Sequence, residues 1–108
     1  MIYYLVKEYI MSTVLDKKEE RLAIKPPGMF NVVFHNDDYT TSAFVVAVLV
    51  QVFQKSLDEA LAITEHVHQK GKGIAGLYTL EIAETRKTVA MEAARQNEFP
   101  LQLTIEAV

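Results

Sequence analysis

At 108 residues, half of them apolar, the chain can fold as one domain with one core and has no room for two. Its formal charge of −3 is spread evenly, with no stripe of Lys and Arg, which excludes a nucleic-acid reader. It holds no cysteine, which excludes a disulfide framework, thiolate catalysis and a Cys-type zinc site and fits a reducing compartment.

Residues 1–10 form an apolar run broken by Lys7 and Glu8. The run is too short to span a bilayer and lacks a basic leader and a small-residue cleavage site, so no membrane contact is expected. It reads as sequence upstream of a start at Met11 and is assigned no function. Residues 12–25 are dense in charge, from Asp16 to Arg21, and end at Pro26-Pro27-Gly28. Residues 1–25 are therefore expected to be a flexible extension, leading into a core domain over 26–108.

Met29 to Phe34 is rich in strand-forming residues and is read as a strand. It stops at His35-Asn36-Asp37-Asp38, whose side chains favour turns and helix starts. Thr40 is the expected N-cap of the next element, with Asp38 as competitor. Phe44, Val45, Val48, Leu49, Val52 and Phe53 then fall on one helical stripe. Alternation over the same valines permits a strand, but length and the cap favour a helix. Val46 and Val50 lie off the stripe.

Ser56-Leu57-Asp58-Glu59 is a capping box that opens a second helix, ending near Lys70 at Gly71. Its inward line is read as Leu61, Thr64 and His68, flanked by Val67. Gly71 to Tyr78 reads as a loop with a very short strand. Thr79 caps a third helix with Glu81 and Glu84 in its first turns, where the helix dipole favours them. Alanines at 83, 90, 93 and 94 imply close packing of that helix. Leu101 to Ile105 alternates as a final strand. The order β-α-α-β-α-β predicts an α+β fold: a three-stranded antiparallel sheet with three helices packed on one face.

Enzymatic motifs are wanting. Gly71-Lys72-Gly73 lacks the spacing and the hydroxyl residue of a phosphate loop, and no Ser or Thr sits in a nucleophile elbow. Asp37 and Asp38 are adjacent, so in a turn they diverge and cannot flank one substrate bond. His66 and His68 point about 200° apart on a helix and cannot share a metal, which leaves His68 with Asp37 as the basis of a less favoured metal-dependent hydrolase. No cofactor is expected.

A protonated amine makes better sense of these groups. It carries three donors and a full charge, and holding it away from bulk water needs converging acceptors, one of them anionic. Asn36, Asp37 and a neutral nitrogen of His68 could form such a cradle. Thr40, Val45, Val67 and Leu101 could line an apolar hole beside it. The competing reading is plain helix capping by the Asn-Asp-Asp turn within a structural interaction module.

Pro26-Pro27-x-Met29, Asn36-Asp37-Asp38-Tyr39-Thr40, Val67-His68-x-x-Gly71-Lys72, Ala83-Glu84-Thr85 and Ala94-Arg95-x-Asn97-Glu98-x-Pro100-Leu101 together resemble the ClpS adaptor family, in order and with spacings intact. The resemblance implies a cytoplasmic adaptor, not an enzyme. Such an adaptor binds substrates led by Leu, Phe, Tyr or Trp and hands them to a ClpA-type AAA+ unfoldase for degradation by ClpP. It places the α-amino contacts on Asn36, Asp37 and His68. It places the pocket wall on Asp38, Thr40, Val45, Val67 and Leu101, and the unfoldase-docking surface on Glu81 and Arg86, where the family usually has lysine. The arm ahead of Pro26 matches the extension that engages the unfoldase. Ser42 and Thr64, which the resemblance also places at the pocket mouth or wall, stand where the family commonly has long apolar residues, often methionine, and so predict altered selectivity for the first residue.

Overall fold

The computed structural model of the protein describes residues 28–108; the extension read over 1–25 lies outside the described residues. Strand β1 covers Met29–His35, followed by helices α1 (Ser42–Gln51) and α2 (Leu57–Lys70), strand β2 (Lys72–Thr79), helix α3 (Leu80–Gln96) and strand β3 (Gln102–Ala107). The strands form one antiparallel sheet in the order β2-β1-β3. The expected element order and sheet are therefore the observed ones.

Alternation along β1 sends Val32 and Phe34 into a core shared with Val45, Val48 and Leu49 of α1, Val67 of α2, and Leu103 of β3. Phe34 meets Phe53 edge-on at 5.5 Å between ring centroids, and Phe53 lies 6.2 Å from Tyr78. On α3 the buried residues are Ala83, Ala90 and Ala94, small side chains that let the helix approach the sheet closely.

Four local expectations are corrected. The N-cap of α1 is Thr41, whose hydroxyl accepts from the Phe44 amide at 3.2 Å, because the Thr40 hydroxyl is engaged elsewhere in the turn. The inward line of α2 is Ala60 and Val67; Leu61 is half-exposed. The segment read as a loop is an eight-residue strand, β2, held by pairing with β1 despite its glycines. Its register slips between Val32 and Val33, so that Ala75 is an extra residue opposite β1, a bulge that strengthens the local twist. Thr79 occupies the N-cap position of α3 but makes no side-chain capping bond there.

The capping box of α2 forms as expected, with the Glu59 amide donating to Ser56 Oγ and the Ser56 amide donating to Glu59 Oε1, each at 3.1 Å. At the far end Gly71 takes φ 92°, the left-handed conformation that a glycine adopts without penalty, and its amide donates to Val67 O at 2.8 Å. These two ends fix where His68 stands.

Candidate functional site

The Asn36–Thr40 turn is built around one carboxylate. Asp37 Oδ1 accepts from the Tyr39 amide at 2.8 Å and the Thr40 amide at 2.7 Å, and Oδ2 accepts from the Thr40 hydroxyl at 2.7 Å. Partial burial pushes the Asp37 carboxyl up, but the three hydrogen bonds outweigh it and hold the group below the usual carboxylate range. A carboxylate has about four acceptor directions, so three bonds leave roughly one open, on Oδ2. The Asn36 amide donates to Gly71 O at 2.9 Å, which ties the turn to the C-terminal end of α2.

That tie brings the turn and α2 together as two walls of a cleft of about 220 Å³, lined by Asn36, Asp37, Asp38, Thr40, Ser42, Val45, Thr64, Val67 and His68. Val45 and Val67 are buried and form its floor; Asn36, Asp38, Ser42 and His68 are exposed at its rim. The Thr64 hydroxyl is turned back onto Ala60 O at 2.7 Å, so it lends the cleft little polarity. The three residues read as an amine cradle thus share one concavity with six of the seven read as pocket wall. The exception is Leu101. It is buried, and it lines a groove with Tyr39, Phe99 and Pro100.

The two residues read as a docking surface lie apart from the cleft on α3, and they differ. Glu81 is exposed in the first turn. Arg86 is turned inward: its guanidinium donates to Val52 O at the end of α1 and stacks over the Tyr78 ring at 5.5 Å. Sequence reading missed this support of the α1–α2 connection, since nothing local distinguishes Arg86 from an exposed helix cation.

Among the described residues, no three His, Cys, Asp or Glu side chains converge as a metal site requires. None of the helices among them is long and apolar enough to cross a membrane. The fold and the cleft together define a class: a small α+β domain whose cleft combines two buried valines with a rim of hydrogen-bonding side chains. Residues 25–104 match the family model for the ATP-dependent Clp protease adaptor protein ClpS, and the chain belongs to that family. It is 43% identical over 95 residues to the ClpS adapter of Myxococcus xanthus, covering 88% of this chain and 89% of the relative. With the adapter of Parvibaculum lavamentivorans it shares 52% identity over 82 residues, 76% of this chain and 74% of the other. It also resembles Agrobacterium tumefaciens ClpS2, solved bound to L-phenylalaninamide, with a TM-score of 0.72 and 33% identity over 75% of this chain and 98% of that one. The chain is thus an adaptor of the Clp protease and not an enzyme.

Proposed function

We propose that the cleft reads the first residue of substrates bearing a free, bulky N-terminal residue, and that the chain delivers them to a ClpA-type AAA+ unfoldase. The observation that carries this reading is the meeting of Asn36, Asp37 and His68 with the Val45–Val67 floor in one cleft. The ligand of the solved relative has the matching pair of features, an α-amine and a phenyl side chain. A cavity of ~150 Å³ admits benzene, so about 220 Å³ leaves room for a ring and its methylene. In this arrangement the ammonium lies between Asp37 Oδ2, the Asn36 carbonyl and a neutral nitrogen of His68, while the side chain rests on the two valines.

Delivery is assigned to the exposed start of α3 around Glu81, with Arg86 bracing that surface from beneath, and to the extension ahead of Pro26. The adaptor's place is then the cytoplasm. Ser42 and Thr64 both line the cleft and both are short, which favours a selectivity broadened toward β-branched Ile and Val. Fluorescence titration with peptides differing only at residue one is the test. Leu, Phe, Tyr and Trp are expected to bind at least about tenfold more tightly than Ala, since a buried side chain of that size is worth ~1.5–3 kcal/mol. N-acetylation of the Leu-led peptide should cost about 100-fold, because it removes the charge and leaves acceptors unpaired. Equal affinity for Leu- and Ala-led peptides, or for the acetylated one, overturns the assignment.

A further inference from the structure

Among the described residues that line the cleft, two carry carboxylates, Asp37 and Asp38, and none is Lys or Arg. Asp37 is held ionised by its three hydrogen bonds, and Asp38 stands exposed at the rim. The two helix ends that meet the cleft oppose one another. The start of α1, at Ser42, contributes about half a positive charge, and the end of α2, at His68, about half a negative one.

Cations near these residues in sequence serve other surfaces. Lys70 lines a different groove together with His66, one helical turn before it, and with Lys72, whose ammonium lies 3.9 Å from Glu106. Arg95 lines the groove that holds Tyr39 and is paired with Glu92. His68 is then the one side chain of the described lining able to carry positive charge, and in the proposed reading it meets the ligand as a neutral acceptor. The cleft therefore offers a negative field with no fixed cation to answer a second anion.

A peptide's first residue and a free amino acid share the ammonium and the side chain. They differ at the carboxyl carbon, which is a neutral amide in the peptide and a carboxylate in the amino acid. Covalent geometry sets that carbon ~2.5 Å from the amine nitrogen, so an ammonium held ~2.8 Å from Asp37 brings it within about 5 Å of the Asp37 carboxylate. Two like unit charges ~5 Å apart weaken binding about fourfold at the dielectric constant of water, and more than about 100-fold at the effective value of ~20 near a protein surface.

We infer that the cleft is closed to free amino acids: Asp37 and Asp38 repel an α-carboxylate, so a first residue is read only where its carboxyl group is neutralised by a further bond. The inference rests on the proposed reading of the cleft. It makes Asp38 a specificity-determining residue, and it narrows the ligand class to chain ends and their neutral mimics. The pool of free Leu, Phe, Tyr and Trp then leaves the cleft open to substrates.

The test displaces a fluorescent Leu-led peptide from the full chain with three ligands that share an ammonium and a phenyl ring: phenylalaninamide, phenylalanine methyl ester and phenylalanine. The amide and the ester should agree within about threefold, and the free acid should be at least about tenfold weaker. The dipeptide Phe-Ala, whose carboxylate lies ~3.5 Å further along the chain, should fall between acid and amide. Raising salt from about 0.01 M to 1 M shortens the screening length from ~30 Å to ~3 Å and should narrow the acid-to-amide ratio about threefold. Asp38→Asn should narrow it by a similar factor, with circular dichroism to check the fold; the salt series needs no variant. Equal affinity for acid and amide overturns the inference, as does a ratio that either salt or Asp38→Asn leaves unchanged. An ester as weak as the acid overturns it too, by giving the gap to the missing amide N–H. Failure of phenylalaninamide to displace the peptide better than alaninamide does refutes the underlying reading instead.

Discussion

The turn end and the helix end of the cleft are built from different materials. At the turn end, main-chain groups, one hydroxyl and one carboxylate make a set of short hydrogen bonds: Tyr39 and Thr40 onto Asp37, and Asn36 onto Gly71. At the other end the walls are side chains projecting from α1 and α2, among them Ser42 and Thr64. Hydrogen bonds to a charged group fix direction within narrow limits, whereas apolar contact scales with area and tolerates changes of shape. In the proposed reading, one end holds a constant chemistry, the α-ammonium, while the other is free to be retuned for different first residues.

The sharpest way to break this contrast is at Asp37. Asp37→Ala should weaken a Leu-led peptide by about 100-fold, the scale of a lost charged hydrogen bond left without its partner. It should also cost ~1–2 kcal/mol of stability, comparable to deleting a helix cap, because the carboxylate holds the turn. Asp37→Asn should lose most of the binding but keep more of the stability, since its carbonyl oxygen can still accept from both amides. The two effects separate in acid. The folded-state pKa of Asp37 lies below its ordinary 3.8, so its share of stability is fully present above 3.8 and is lost as pH falls through the lower folded value. Denaturation curves of the unaltered chain and Asp37→Asn should converge in that window. If they stay parallel, the turn does not depend on the charge.

A second, smaller effect should come from beneath the floor. A Cβ added at Gly73 would fall 2.8 Å from Val67 Cγ2 and 3.2 Å from His66 Cδ2. Gly73→Ala should push α2 off the sheet and cost ~1–3 kcal/mol by overpacking. Peptide affinity should drop with it, because Val67 is the cleft floor and His68 its neighbour. A variant of unchanged melting temperature and affinity would show that α2 yields more easily than the packing implies. The smallest effect is expected at the tunable end. Ser42→Met adds apolar contact at the rim and should tighten Leu- and Phe-led peptides about fivefold, at ~0.8 kcal/mol per methylene buried, while excluding Ile and Val. Titration of the same residue-one series reads both changes. An Ile-led peptide tightened as much as a Leu-led one would show that residue 42 does not gate shape.

Much of this was legible in the sequence, for reasons that differ by element. The capping box at Ser56 and Glu59 and the glycine at 71 are local signals, and the helix between them formed with those ends. The stripe from Phe44 to Phe53 found its buried face in the same way. What escaped depended on neighbours distant in sequence. Lys72-Gly73-Ile74-Ala75-Gly76 has poor strand propensity, and it is a strand because β1 supplies the pairing and α2 requires a small residue at 73. Leu61 was taken as core because leucine usually is, yet Ala60 holds the buried position and Leu61 faces outward. Leu101, read as part of the pocket, is buried and lines a groove with Tyr39. Nine of the ten residues read as cradle or pocket nonetheless line one concavity, because the turn and the α2 line are each specified locally.

The bond from the Asn36 amide to the Gly71 carbonyl has a further consequence for how this site can vary between generations. It joins the walls through main-chain atoms alone, so no side-chain substitution at 36 removes it except proline, which lacks the donor. That joint beside His68 is thus insensitive to which side chain residue 36 carries. Changes at the opposite end, at 42 or 64, can accumulate without disturbing it, so the shape of that end can drift while the joint between the walls is inherited intact.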